Sequence, residues 1–239
     1  MILTLEQVIG AGMCDPNGRL SILGALTLME DFVTATMDKM EINGFKMRRE
    51  YNAVVVFSKN HVQFLKPICC NDKVTVSCFV STKSMARLCV DVCVKNTQGE
   101  IAMYGRTEVC AVDVESGRIR RLDAVGIGDK VVAVPALSPM EWEPFEVVGE
   151  LVENVTVRTS NIDYAGHTNN VEYIRLLLNT FSLDEWRGGI VPRELQVAYV
   201  SQSFLGDNLA IYRENRSGNE RLFTIKKDEQ DVLRCALRW

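Results

Sequence analysis

Asp163 and His167 lie four residues apart within VRTSNIDYAGHTNNVEY (157–173), across a turn that contains Gly166. A carboxylate and an imidazole at this spacing suit proton transfer. Imidazole is the natural proton acceptor near neutral pH, and a carboxylate beside it can orient the ring and stabilise the imidazolium. The chain has only two histidines, His61 and His167, which narrows the search for a general base. Thr168, Asn169 and Asn170 follow, and residues of these types cap helix N-termini. A helix opening there would bring unpaired N–H groups and the positive end of its dipole to the pair. Such a place holds a developing oxyanion, with backbone N–H groups around Gly166 to Thr168 as the expected donors. The same spacing also fits a plainer arrangement, with Asp163 capping a turn, His167 satisfied at a boundary, and Asn169 or Asn170 acting as caps only. His61 opens an alternating run with no acidic neighbour in sequence and reads as structural.

The elements that must position this segment follow from periodicity. Residues 19–41 carry apolar side chains nearly all round a helix, including Leu20, Leu23, Leu26, Phe32, Val33 and Met37, which predicts an enclosed helix. Strands are expected near 52–65, 72–82, 86–96 and 100–114, with Val74, Val76, Cys78 and Val80 on one face. A second helix is predicted at 169–181, then strands near 193–201, 207–215, 220–228 and 231–239. Residues 122–149 hold Pro135, Pro139 and Pro144 and have the chemistry of a linker.

Two echoes suggest an internal repeat. CDPNGRLSILGALTLMEDF (14–32) and IDYAGHTNNVEYIRLLLNTF (162–181) each show an Asp, a Gly three residues on, a turn and a helix-length apolar run. Phe64 and Asp72 likewise answer Tyr199 and Asp207, each pair eight apart before an alternating strand. Arg19 stands where His167 stands and Asn17 where Ala165 does, so the first half is expected to be catalytically silent.

The 157–173 segment resembles the motif of plant and bacterial acyl-ACP thioesterases, Asp-x-Asn-x-His-x-Asn-Asn-x-x-Tyr, through Asp163, His167, Asn169, Asn170 and Tyr173. The resemblance covers most of the chain and implies an α+β tandem (double) hotdog. In that plan each half wraps a curved antiparallel sheet around a long helix, with one hotdog at 1–122, a linker at 123–149 and a second hotdog at 150–239. It implies hydrolysis of fatty acyl-acyl carrier protein, with Asp163, His167 and Gln202 catalytic. Ala165, Gly166, Thr168, Asn169, Asn170 and Ser203 would support them, and Met29, Phe32 and Met37 would line the acyl tunnel. Two departures stand out. Ala165 replaces the motif's central Asn, and Gln202-Ser203 replace a Glu followed by Cys or a small residue. Gln202 cannot act as a base, although it could position a water or the thioester carbonyl. Ser203 as a covalent nucleophile would need a base beside it, and the sequence supplies none.

Composition bounds the alternatives. Hydrophobic residues at 47% and charged residues at 24% match an ordinary globular protein, and the net charge of -4 argues against nucleic acid. An acidic carrier protein then needs a local basic patch, for which Lys46, Arg48 and Arg49, or Arg118, Arg120 and Arg121, could serve, although solvated loop charges explain either cluster. No signal peptide or membrane span is expected, which points to the cytoplasm. Eight cysteines without CxxC spacing read as free thiols acting as small hydrophobes, with no metal and no cofactor. A homodimer is expected by fold analogy. The rival activities are a hotdog acyl-CoA thioesterase, an enoyl-thioester hydratase, and a degenerate protein that binds acyl chains or acyl carrier protein without catalysis.

Overall fold

Ser21 accepts the N–H of Gly24 and so starts the long helix α1 (Ile22–Lys39). The computed structural model describes residues 2–187, 191–216 and 218–239. Contacts divide the chain at Glu141/Trp142, and each unit is described by itself.

The first unit runs β1 (Ile2–Val8), α1, α2 (Gly44–Tyr51), β2 (Ala53–Phe64), β3 (Lys73–Lys83), β4 (Arg87–Lys95), β5 (Ile101–Asp113) and β6 (Ile119–Arg120). Its antiparallel sheet has the order β1-β3-β4-β5-β2, with β6 on β5. The second runs β7 (Glu150–Thr156), α3 (Asn170–Asn179), α4 (Leu183–Arg187), β8 (Glu194–Tyr199), β9 (Asn208–Arg216), β10 (Glu220–Lys227) and β11 (Gln230–Arg238). Its order is β7-β9-β10-β11-β8, again antiparallel. The two units therefore repeat one plan. A first strand, a helix and four further strands take the same places in each sheet.

The alternation that defines these strands is realised in their burial. Val74, Val76, Cys78 and Val80 all face the interior of the first unit, as Leu209 and Ile211 do in the second. Helix α1 departs from the expected all-round enclosure. Thr27, Asp31, Thr34 and Asp38, three or four residues apart, form an exposed stripe, while Ile22, Leu26, Met29, Phe32 and Val33 are buried. The polar residues at those four places offset the apolar neighbours that suggested an enclosed helix.

Helix α2 fills the interval between the first predicted helix and the next strand. Asn43 caps it by accepting the Lys46 N–H, and Asn52 ends it in the left-handed conformation. Residues 123–140, within the expected linker, pack on the first unit through buried Val125, Ile127, Val131 and Met140. No helix among the described residues is long and apolar enough to cross a membrane.

The thiols differ in burial. Cys78, Cys93, Cys110 and Cys235 are buried, and burial pushes the Cys78 thiol up to about 12. Cys69 is exposed, with Cys14 and Cys70 half-buried beside the first turn, so these three correct the expectation of inert packing residues. The thiolate is the reactive form. Brief alkylation of the native protein is expected to label Cys69 first and to leave Cys78 and Cys235 unmodified until denaturant is added, as read by peptide mass mapping. Early labelling of Cys235 would contradict this core.

Candidate active site

The turn that carries Asp163 and His167 is built by the backbone, and the first unit contains the same turn. Asp163 N–H donates to His167 O at 3.0 Å and Gly166 N–H to Asp163 O at 3.1 Å. In the first unit Asp15 N–H reaches Arg19 O at 2.7 Å and Gly18 N–H reaches Asp15 O at 2.9 Å. Thr168 N–H donates to Ser203 O at 2.9 Å, matched by Leu20 N–H to Ile68 O at 2.7 Å. Asp207 Oδ2 accepts the Phe204 N–H as Asp72 Oδ2 accepts the Cys69 N–H. A short 3-10 turn precedes each motif, at Ala11–Met13 and Thr159–Asn161. Gly166 adopts φ +86 at the tip, a conformation that a Cβ would strain.

The side chains differ where the backbones agree. Asp15 Oδ1 accepts the N–H groups of both Asn17 and Arg19, at 2.8 and 2.9 Å. Asp163 Oδ1 accepts only that of Ala165, at 2.8 Å. Among the described residues, the N–H groups of His167 and Asn170 have no acceptor within the chain. Of the N–H groups from Gly166 to Thr168, that of His167 is the one left available, because Gly166 N–H is spent on Asp163 O and Thr168 N–H on Ser203 O.

His167 and Asp163 do converge. Nδ1 of His167 lies 3.2 Å from Thr168 O and 3.4 Å from Asp163 Oδ2, and both side chains are partly exposed, at 25% and 17%. Both neighbours of Nδ1 are acceptors, so the proton belongs on Nδ1, and Nε2 carries the lone pair. Among the described residues Nε2 has no partner within the chain.

Asn169 is the N-cap of α3, its Oδ1 taking the Val171 N–H at 2.7 Å. Asn170 is the first residue of that helix. Ala165 contributes its N–H alone. Gln202 is exposed, and among the described residues no hydrogen bond joins it to Asp163 or His167. Ser203 is fully buried, its Oγ 2.7 Å from Thr168 Oγ1 and 2.8 Å from Tyr173 Oη. Sequence reasoning passed over Asn161 and Glu172. Asn161 Nδ2 donates to Glu172 at 3.1 Å and Asn161 O accepts the Asn169 N–H at 2.9 Å, which ties the 3-10 turn to α3. The only signal for Asn161 was its place two residues before Asp163.

Residues 147–239 match the family model for the acyl-ACP thioesterase C-terminal domain, and residues 25–103 match that for the thioesterase superfamily. Over residues 147–239 the chain is similar to the acyl-ACP thioesterases. No curated protein matches it in sequence. Among solved structures, an acyl-ACP thioesterase from Bacteroides thetaiotaomicron superposes with a TM-score of 0.89 at 20% identity, over 99% of this chain and 97% of that one. A 12:0-ACP thioesterase from Umbellularia californica superposes at 0.88 with 15% identity, over 100% and 96%. At these identities the likeness is one of fold.

In the first unit, Met29, Phe32 and Met37 are buried on the inner side of α1, and Met40 is buried just beyond its end. Met29 lies flat over Gly105 of β5, where a Cβ would collide with its thioether. Three of the six basic side chains in the two clusters pair with neighbours. Lys46 pairs with Glu41 at 2.8 Å, Arg49 with Glu50 at 3.0 Å and Arg120 with Asp113 at 3.0 Å. His61 is buried within β2, in keeping with a structural reading.

Proposed function

We propose that the protein hydrolyses fatty acyl-acyl carrier protein to free fatty acid and the carrier thiol, with chemistry centred on His167 and Asp163. The observation that carries this reading is the orientation of His167. With its proton on Nδ1, held between Thr168 O and Asp163 Oδ2, the ring presents Nε2 as a base. Nε2 takes a proton from water as the oxygen attacks the thioester carbonyl carbon. The tetrahedral oxyanion forms near the His167 N–H, which the equivalent turn of the first unit ties to Asp15 and which this turn leaves available. Collapse breaks the C–S bond, and the proton on Nε2 passes to the departing thiolate. Asp163 stabilises the imidazolium meanwhile. Gln202, lacking an ionisable proton, serves as an amide that orients the water or the carbonyl. No step requires a metal or cofactor.

In this reading each unit is one hotdog, and the first shapes an acyl tunnel lined by Met29, Phe32 and Met37. The protein works in the cytoplasm, and fold analogy supports a homodimer. A second reading has a specific support. Ala165 and Gln202 remove an amide and a carboxylate from the family motif, which favours a chain that binds acyl-acyl carrier protein without cleaving it. The deciding experiment is thiol release by the purified protein over saturated acyl-acyl carrier proteins of several lengths, run beside acyl-CoA and an enoyl thioester. Thiol release that is fastest with an acyl-carrier substrate is expected. Tight binding without release would establish the second reading, and hydration without thiol release would establish a hydratase.

A further inference from the structure

Three hydroxyls meet inside the second unit where the first unit has only hydrocarbon. Thr168, Ser203 and Tyr173 are 1%, 0% and 3% exposed. The matching backbone bonds make Leu20 and Ile68 the counterparts of Thr168 and Ser203. Counting from the N-caps, Ser21 and Asn169, makes Ala25 the counterpart of Tyr173, and Ala25 N–H bonds Ser21 O as Tyr173 N–H bonds Asn169 O. Leu20, Ile68 and Ala25 are buried and apolar, yet they support the same backbone. The frame therefore does not need hydroxyls. A buried hydroxyl destabilises unless it is fully hydrogen-bonded, so their presence in one unit alone points to a task there.

Their bonds have one consistent direction. Tyr173 Oη accepts the Ser203 N–H at 2.9 Å and lies 2.8 Å from Ser203 Oγ, to which its own proton is directed. Ser203 Oγ lies 2.7 Å from Thr168 Oγ1 and donates there. Thr168 Oγ1 in turn donates to Ser203 O at 3.2 Å. Every hydroxyl in this chain gives one hydrogen bond and takes one, and such closed networks hold a single geometry.

Thr168 is the chain neighbour of His167, and Ser203 is the neighbour of Gln202. We propose that Tyr173, Ser203 and Thr168 form a clamp that fixes Gln202 relative to His167, making all three positioning residues and Ser203 no nucleophile. The role of the clamp in hydrolysis rests on the proposed thioesterase reading, whereas its mechanical part does not. The Ser203 proton is directed to Thr168, away from any base, so the hydroxyl is not activated for attack.

The test uses Tyr173→Phe, Thr168→Val, Ser203→Ala and the Tyr173→Phe/Thr168→Val pair in the full chain. Two readouts are taken, steady-state kinetics with an acyl-acyl carrier protein and amide hydrogen exchange. Each single variant is expected to lower kcat about 10-fold with KM within about 2-fold, and the double to fall little further, because one break opens the network. Exchange at the Ser203 and Thr168 amides is expected to rise about 10-fold in Tyr173→Phe while β10 and β11 keep their protection. Unchanged kcat in all variants, a change in KM alone, or an acyl adduct on Ser203 in the wild type overturns the clamp. Wild-type protein that releases no thiol refutes the hydrolase reading instead, and the exchange data then judge the clamp: unchanged Ser203 and Thr168 amides reject it, and loosened ones uphold it.

Discussion

His167→Ala is expected to lower kcat for acyl-acyl carrier protein hydrolysis by about 1000-fold, because a positioned general base typically contributes between about 100- and 10,000-fold. The ring has one nitrogen engaged with Thr168 O and Asp163, and alanine leaves no group that can take the water's proton at that place. Asp163→Asn is expected to cost about 100-fold, less than the histidine, since the Thr168 carbonyl still holds the Nδ1 proton while the charge that stabilises the imidazolium is lost. The turn should survive this change, because an asparagine oxygen can still accept the Ala165 N–H. KM should stay within a few-fold in both. Continuous detection of released thiol measures these rates, with thermal unfolding as the folding control. Both variants retaining full rate would show that the chemistry lies elsewhere on the chain.

Asp91→Ala is expected to produce the largest loss of stability, about 3 to 5 kcal/mol, the range for removing one partner of a buried ion pair. Asp91 is fully buried on β4, and Arg106 grips it with Nε at 2.7 Å and Nη2 at 2.8 Å. Ser81 Oγ donates at 2.7 Å, and Tyr104 Oη donates to the other carboxylate oxygen. Burial and the Asp91 carboxylate push the Tyr104 phenol well above its ordinary range, so it remains a donor. The cluster also reaches outward, with Arg106 Nη1 donating to Met140 O at 2.7 Å and Leu137 N–H to Tyr104 Oη at 3.0 Å. Alanine at 91 strands a guanidinium and removes the anchor of residues 137–140 together. Replacing Asp91 and Arg106 jointly by leucine and methionine should cost less than the single change, because no unpaired charge is left behind. Urea unfolding followed by Trp fluorescence and by hydrogen exchange in β4 and β5 measures the difference. A single variant within about 0.5 kcal/mol of wild type would contradict the network.

The sequence made the strands legible because alternation in runs such as Val74–Val80 records which face is buried. The Asp163–His167 turn was legible too, since an Asp, a Gly three residues on and a run of capping residues are local signals. Less legible were features that depend on distant partners. Helix α2 was missed because LysMetArgArgGlu carries little apolar periodicity, although Asn43 was a fair cap. The exposed stripe of α1 was hidden by the apolar residues on either side of Thr27 and Asp31. The Asp91 cluster joins four segments that no spacing relates. Ser203 and Gln202 could be singled out by resemblance, but only the fold shows that one is enclosed among hydroxyls while its neighbour faces solvent.

The matching turns at 15–19 and 163–167 have an implication for engineering. Because the same main-chain bonds recur in both copies and the Asp15 carboxylate takes only the backbone N–H groups of residues 17 and 19, the side chains at those two positions are free to be rewritten. Arg19→His would place an imidazole four residues after Asp15, on a turn whose Asp15 carboxylate still holds the N–H of residue 19. The first turn thus offers a template on which the side chains of the second can be transplanted one residue at a time.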